Sequence, residues 1–264
     1  MLGTFSAAWR FRHFVISSVR SEFAGRFARS RLGALWMILN PLAQAAVVAF
    51  VLSGVLAARL PAVTNRYGYA LYLMAGTLAW SMFQETVMRC LTVFTDNGNL
   101  LKKLVFPRIC LPLVVSGVTI VSNLLLALAT LLAFLLLAHW PGLEALWLPV
   151  LLVVTLALAL GVGLTVGVIN VFVRDVGQVV PILLQFMFWL TPIVYVPSMV
   201  PKEFLPLLQI NPMYTMVHAY QSVLVFDRAP DWAAVAGVAA LAALLLGFAM
   251  VLFRRASAEM VDVL

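Results

Sequence analysis

Few side chains in this sequence are able to do chemistry, and they lie near the ends of apolar segments rather than within them. Glu85 and Arg89 stand four residues apart, a spacing at which two charged side chains on a helix can form an ion pair. The three histidines are dispersed, so no metal site is predicted. Cys90 and Cys110 fall near the predicted cytoplasmic side, where a structural disulfide is not expected.

Motifs that would power a reaction are absent from the sequence. It contains no Gly-x-x-x-x-Gly-Lys-Ser/Thr phosphate loop, no His-Glu-x-x-His metal motif and no Gly-x-Ser-x-Gly nucleophile motif. Acidic residues in the middle of apolar segments, which proton- or sodium-driven transporters use, are nearly absent too. We therefore predict that the chain is not an enzyme and binds no cofactor. Energy for uphill transport is expected from another subunit.

The composition indicates an all-α membrane protein. Of its 264 residues, 64% are hydrophobic and 10% are charged, whereas a soluble domain has roughly 45–50% apolar and about 25% charged residues. Residues 1–32 are predicted to be a cytoplasmic N-terminal region, and residues 33–264 a permease domain with six transmembrane helices. The predicted spans are 33–57, 70–94, 110–138, 146–173, 179–196 and 232–253.

The basic residues predict the orientation of these spans. With the N-terminus inside, 13 of the 17 Lys and Arg residues fall in inner segments, as expected for cytoplasmic loops. Both termini are therefore predicted to be cytoplasmic. Because the basic residues flank apolar runs, the net charge of +7 indicates membrane headgroups and topology rather than nucleic acid.

Three local patterns add detail to this outline. Residues 4–24 are amphipathic at helical spacing and predict an interfacial helix, with a plain cytoplasmic tail as the alternative. Prolines divide residues 197–231 into apolar stretches too short to span, which is typical of re-entrant helices, and a loop on the lipid surface is the alternative. Gly163 and Gly167 form a Gly-x-x-x-Gly pair that suits close helix packing, and a lipid-facing position fits the pair nearly as well.

Four segments resemble ABC-type-2 transport permeases of the bacterial polysaccharide exporter family. They are residues 33–41 (GALWMILNP) after an arginine-rich N-terminus, 97–112 (NGNLLKKLVFPRICLP), 170–176 (NVFVRDV), and 190–195 (LTPIVY) followed by 211–213 (NPM). They occur in the family's order and cover nearly the whole chain. The likeness is greatest to permeases for lipopolysaccharide O-antigen, and permeases for capsule and teichoic acid are close.

The resemblance implies a homodimer in the bacterial cytoplasmic (inner) membrane, paired with two copies of a separate ATPase that binds ATP and Mg. A lipid-linked polysaccharide would then cross through a channel between the protomers. The polar segment 95–108 would be the cytoplasmic coupling loop that docks on the ATPase. Residues expected to couple to the ATPase are Asp96, Asn97, Asn99, Leu100, Leu101, Lys102, Lys103, Arg174 and Asp175; a solvated basic loop is the alternative.

The resemblance also implies sites for the glycan and its lipid. The interface helix, with Trp9, Arg10, Arg12 and Arg20, would steer an anionic pyrophosphate lipid, although topology signalling explains these arginines equally well. Residues 197–231 would form an outer gate that includes Pro197, Pro201, Asn211 and Pro212. Aromatic rings pack well on sugar C–H faces, so the candidates for a channel lining are Trp36, Phe50, Tyr72, Trp80, Phe83, Phe186, Trp189 and Tyr195; an ordinary interfacial aromatic belt is the alternative.

Three other functions fit parts of the sequence. An ABC exporter of a drug or small lipid would share the fold, but the aromatic content and the loop motifs favour a glycan. A membrane-embedded enzyme of glycan assembly would need clustered acids or histidines, which the sequence lacks. A passive channel would need no ATPase partner.

Overall fold

The computed structural model describes residues 11–27, 35, 36, 39, 43, 67–98, 109–257 and 259–263. These residues are mostly helical, and no strand occurs among them, which confirms the all-α prediction for this part of the chain. The helices are α1 (Arg12–Phe27), α2 (Gly68–Asp96), α3 (Cys110–Leu136), α4 (Leu148–Phe172), α5 (Val176–Leu190), α6 (Leu205–Gln209), α7 (Pro212–Leu224), α8 (Trp232–Ala256) and α9 (Glu259–Val263).

Three described helices are long and apolar enough to cross a membrane. They are α3, α8 and the continuous helix Leu143–Phe172, in which the 3₁₀ turn Leu143–Trp147 leads into α4. The shortest has 25 residues, or about 37 Å of helix, against a hydrocarbon core of about 30 Å. They correspond to the predicted spans 110–138, 146–173 and 232–253. The first predicted span, 33–57, lies almost wholly outside the described residues, and the total of six spans stays a prediction.

The central helix is α2, which corresponds to the predicted span 70–94. It packs against α3, α4, α5 and α7, and 18 of its 29 residues are buried. Its sequence is less apolar than those of the three helices above, and it can be so because neighbouring protein, rather than lipid, covers most of its surface. A covered helix can carry polar side chains such as Thr86, which is fully buried and donates to the Met82 carbonyl oxygen.

Glycines allow α4 to approach both of its neighbours. A Cβ atom at Gly163 would lie 2.8 Å from Cβ of Cys90 on α2, and one at Gly167 would lie 2.2 Å from the Cys90 carbonyl oxygen. On another side of α4, a Cβ atom at Gly161 would lie 2.7 Å from Cβ of Leu245 on α8. The Gly-x-x-x-Gly pair therefore faces protein, and the lipid-facing alternative is wrong in this structure.

The predicted span 179–196 is wrong at its second end. Helix α5 stops at Leu190, and residues 191–196 contain no helix. Pro192 lacks a backbone N–H and disfavours the helical conformation at the residue before it; Thr191 accordingly has an extended backbone, with ψ of 133°. With 15 residues, α5 is about 22 Å long, shorter than a hydrocarbon core of about 30 Å.

The bundle has two chemically different ends. At the arginine end, Phe94 of α2, Leu111 of α3, Val171 of α4 and Ala256 of α8 share one buried apolar cluster, and Arg89, Arg174, Arg254 and Arg255 lie on these helices or beside their ends. At the opposite end lies the non-helical segment 191–196, which we call the break. At this break end the Trp147 and Trp232 rings pack edge to face, with centres 4.6 Å apart. There His139 Nε2 lies 2.9 Å from the Leu224 carbonyl oxygen.

Candidate functional site

An ion-pair cluster joins α1 to α2 at the arginine end. The Arg89 Nε atom donates to Glu85 at 2.9 Å, as the four-residue spacing predicts. The Arg89 Nη1 atom pairs with Glu22 of α1, which is 67 residues away in the sequence. Because the Arg89 side chain is only 15% exposed, this pair is better shielded from solvent than an ordinary surface pair. It joins α1 to the central helix α2.

Helix α1 lies along α3 and confirms that a helix forms within the predicted interfacial segment. Val19 packs on Gly117 of α3, where a Cβ atom would approach its methyl group to 2.8 Å. Arg12 and Arg20 are exposed, as is Ile16, so the apolar side expected for this helix is only partly covered by protein. The predicted residues Trp9 and Arg10 lie outside the described residues.

Both predicted coupling segments lie at the arginine end. Asp96 ends α2, and the Asn97 side chain donates to the Val93 carbonyl oxygen at 2.8 Å, which terminates the helix. Arg174 and Asp175 form the exposed turn between α4 and α5. The backbone N–H groups of Gln178 and Val179 both donate to the Asp175 carbonyl oxygen. The predicted residues Asn99, Leu100, Leu101, Lys102 and Lys103 lie outside the described residues, and the coupling role stays a prediction.

The predicted channel aromatics fall into two groups. Tyr72, Trp80 and Phe83 are buried inside the protomer. Trp80 packs on Phe83 and on Phe188, with ring centres 5.7 Å away in each case, and its indole N–H donates to Gln84. Such contacts give these residues a structural role within one protomer, and their predicted role in a channel stays untested.

The second group of aromatics is exposed. Phe186 and Trp189 are 65% and 59% exposed on α5, where only Val180 and Leu184 are buried. Trp36 is half-exposed, Tyr195 is half-buried and donates to the Leu190 carbonyl oxygen, and Phe50 lies outside the described residues. Helix α5 thus packs on the rest of the chain along a narrow strip.

Side chains from α2 and α7 anchor the break after α5. The Tyr72 hydroxyl donates to the carbonyl oxygens of Pro192 at 3.1 Å and Tyr195 at 3.3 Å, and the Tyr69 hydroxyl donates to that of Val194. The Gln221 Nε2 atom of α7 also donates to the Pro192 carbonyl oxygen, at 3.1 Å. Non-helical backbone at membrane depth is stable only where protein or water satisfies its polar groups. Here protein side chains do so.

The predicted outer-gate residues begin or flank short helices. Pro197 opens a 3₁₀ turn, and Pro201 precedes a turn that leads into α6. Asn211 caps α7, since its side-chain oxygen accepts from the Met213 N–H at 3.0 Å, and Pro212 occupies the first helical position. The Asn211 amide also donates to the Thr191 hydroxyl at 2.9 Å, which ties this turn to the break. Insertion of these helices into the membrane stays a prediction.

Comparison with known proteins identifies the family. A family model described as ABC-2 type transporter matches residues 14–225. The chain belongs to the ABC-2 type transporter family. The O-antigen export system permease protein RfbA of Myxococcus xanthus is 28% identical over 257 residues, which cover 96% of each chain. A protein of the same name from Klebsiella pneumoniae is 29% identical over 201 residues, covering 75% of this chain and 74% of its relative.

Family membership makes this chain the membrane subunit of an ABC transporter and a multi-pass membrane protein. It confirms the resemblance read from the four motifs. Motif 190–195 contains the break that Tyr69, Tyr72 and Gln221 anchor. Motif 170–176 contains Asn170, whose side-chain amide donates to the Leu91 carbonyl oxygen of α2 at 2.9 Å.

Sequence reasoning missed several residues that build these sites. Glu22, Tyr69 and Gln221 act across 67, 125 and 29 positions of the chain, so spacing alone could not reveal their partners. For Gln221 the sequence did give one indication, because the amide of a glutamine within an apolar helix needs a hydrogen-bond partner when it is buried. Its side chain is fully buried in the permease.

Proposed function

We propose that this permease exports a lipid-linked polysaccharide of the O-antigen kind across the bacterial inner membrane, driven by ATP that a separate subunit hydrolyses. The observation that carries the proposal is the similarity to the O-antigen export permease of Myxococcus xanthus, which extends over 96% of both chains. The aligned 257 residues include the loops at both ends of the bundle as well as the helices. In this proposal ATP and Mg belong to the partner ATPase, and this chain binds neither.

The arginine end faces the cytoplasm and the ATPase. Its charge supports this orientation, because cytoplasmic segments are enriched in arginine and lysine. Asp96 and Asp175 lie at the ends of α2 and α4, whose last turns share one apolar cluster. A displacement of either segment by the ATPase would therefore be transmitted to the same packed apolar cluster. The segment 95–108 provides the main docking contact, and the turn at Arg174 and Asp175 provides a second contact.

The glycan passes between two copies of the permease. Helix α5 supports this arrangement because it presents Phe186 and Trp189 away from its own protomer. Aromatic rings suit sugar C–H faces, while the sugar hydroxyls remain in water. The break end is then the outer side, and the segment from Pro197 to Asp231 forms the gate there.

Depletion of the permease tests the proposal. We expect finished polymer to accumulate on the cytoplasmic leaflet, where an externally added lectin reaches it only after the cells are permeabilised. Restoring the permease should return the polymer to the cell surface. Loss of the polymer itself would indicate an assembly enzyme, and an unchanged surface polymer would contradict the proposal.

A second experiment tests the ATPase partner. A variant with Leu101→Ser and Lys102→Glu should lose an ATPase that co-purifies with the wild-type permease, because both changes fall in the proposed docking segment. The matched control is Lys202→Glu, which makes the same charge change in the proposed outer gate and should retain the ATPase. Retention of the ATPase by the double variant would refute docking at residues 95–108.

A further inference from the structure

Two cavities meet at His218 and Asp231 at the break end. One has a volume of about 500 Å³ and is also lined by Ser198, Ser222 and Arg228. The other has a volume of about 410 Å³ and is also lined by Gln209, Tyr214 and Thr215. Each lies within the range of roughly 300–1,000 Å³ that is usual for small-molecule sites. The two cavities share His218 and Asp231 and lie beside α7 and the start of α8, and we call the pair the exit groove.

Polar side chains of opposite charge face the larger cavity. Arg228 is exposed, and no carboxylate among the described residues lies within salt-bridge distance of it. The Asp231 Oδ1 atom accepts from the N–H groups of Ala233 at 3.1 Å and Ala234 at 3.2 Å, so the carboxylate is fixed as the cap of α8. Neither cap bond uses its Oδ2 atom, which remains an acceptor for a ligand.

Neutral polar groups and rings complete the groove. His218 Nδ1 lies 3.5 Å from the Ser222 hydroxyl. Partial burial lowers the pKa of His218, while the Asp231 carboxylate opposes the shift; this favours the neutral imidazole, which offers one donor and one acceptor. The Tyr214 ring is nearly parallel to the His218 ring, with centres 6.3 Å apart. Phe226, which is half-buried, adds a partly accessible aromatic residue to the larger cavity.

This chemistry favours one class of ligand. A hydrocarbon chain would desolvate the Arg228 guanidinium and the Oδ2 atom of Asp231 without replacing their hydrogen bonds to water, which is costly. A phosphate would gain from Arg228 but would meet the Asp231 carboxylate. A sugar ring has hydroxyl groups that both accept from the guanidinium and donate to the carboxylate, and its C–H faces pack on aromatic rings. The groove therefore matches a neutral, hydroxyl-rich ring.

We propose that the exit groove binds sugar units of the glycan as they emerge on the outer side of the membrane. It is a site within each protomer, separate from the channel between protomers. This inference rests on the proposed function, since it needs a glycan substrate and an outward-facing break end.

Cysteine protection tests the exit groove in intact cells. The native residues Cys90 and Cys110 are buried, so a membrane-impermeant maleimide should react mainly with an introduced cysteine. We would place it at Ser198 or Ala229, which are exposed residues of the larger cavity. The control is Leu143→Cys, which is at the same end, is 85% exposed and lines neither cavity.

The comparison is between cells that make the lipid-linked glycan and cells that cannot. If about two thirds of the grooves are occupied during transport, labelling of S198C and A229C should slow about threefold, because only empty grooves react. Labelling of L143C should stay the same. Equal labelling of S198C in both cell types, while surface glycan is still delivered, would overturn the exit groove and leave the proposed function intact. Surface glycan that does not depend on the permease would overturn the proposed function instead.

Charge removal gives a second, independent readout. Asp231→Asn keeps a side chain that can cap α8 but loses the negative charge, and Arg228→Gln removes the cation. Each should slow delivery of surface glycan severalfold at unchanged permease levels. Glu144→Gln removes a charge at the same end of the bundle, outside both cavities and outside the proposed gate, and should have no effect. Wild-type delivery by both groove variants would contradict the proposal.

Discussion

The close approach of α4 to α2 predicts that Gly167→Ala destabilises the permease. The new Cβ atom would lie 2.2 Å from the Cys90 carbonyl oxygen and 3.0 Å from its carbon. Ordinary contact begins near 3.4 Å, so the two helices must separate by about 1 Å. The obstacle is backbone within a packed helix, which cannot rotate away as a flexible side chain would.

The expected cost of Gly167→Ala follows from two opposing terms. Overpacking a core by one carbon typically costs about 1–3 kcal/mol, and alanine recovers up to about 1 kcal/mol through its higher helix propensity. With the full propensity gain the net loss is about 0–2 kcal/mol, which would lower Tm by up to about 8 °C in a chain of this size. The assay is thermal unfolding of the purified permease in detergent, followed by tryptophan fluorescence and by loss of the monodisperse peak.

Gly237→Ala and Gly247→Ala are the matched controls on α8. A Cβ atom at either position meets nothing within 4 Å, so only the propensity term applies and Tm should stay the same or rise. If Gly167→Ala unfolds at the same temperature as these controls, α2 and α4 do not approach as closely as described. The reasoning about this contact would then be refuted.

Two further predictions concern buried polar contacts at opposite ends of the bundle. The Pro192 carbonyl oxygen accepts from both Tyr72 and Gln221. Tyr72→Phe and Gln221→Leu should therefore each lower the free energy of unfolding by less than about 1 kcal/mol, whereas the double variant, which leaves the oxygen without either donor, should lose about 1–3 kcal/mol more than the sum of the two. Additive losses in Tm would contradict a shared acceptor. Arg89→Glu should destabilise the permease by up to about 3 kcal/mol, because it removes the shielded cation between two carboxylates. Adding Glu22→Arg should recover part of that loss, and no recovery of Tm would refute the ion pair with α1.

The long apolar helices were predictable because length and composition alone specify them. The predicted span 110–138 and helix α3 differ by two residues at one end, since nothing within the segment interrupts the pattern. Helix α5 shows the limit of this approach. Its apolar composition continues through residues 191–196, but the local effect of Pro192 on the backbone ends the helix at Leu190.

The polar contacts between helices were harder to predict than the helices. Glu85 and Arg89 are four residues apart, and their pair was read directly from that spacing. Glu22 completes the same cluster from another helix, and its contact depends on how α1 lies on α3. The aromatic residues carried a similar ambiguity, because tyrosine and tryptophan suit a protein core, a membrane interface and a sugar platform equally.

The anchoring of the break has a mechanical consequence for α5. Hydrogen bonds from α2 and α7 hold the carbonyl groups just beyond its last turn, whereas Val180 and Leu184 are its only buried residues. A shift of α5 along its own axis would break several of those hydrogen bonds together, whereas a tilt about residues 191–196 would not. We therefore expect any displacement of α5 to be smallest at its last turn, where Trp189 lies close to the anchored carbonyl group of Pro192.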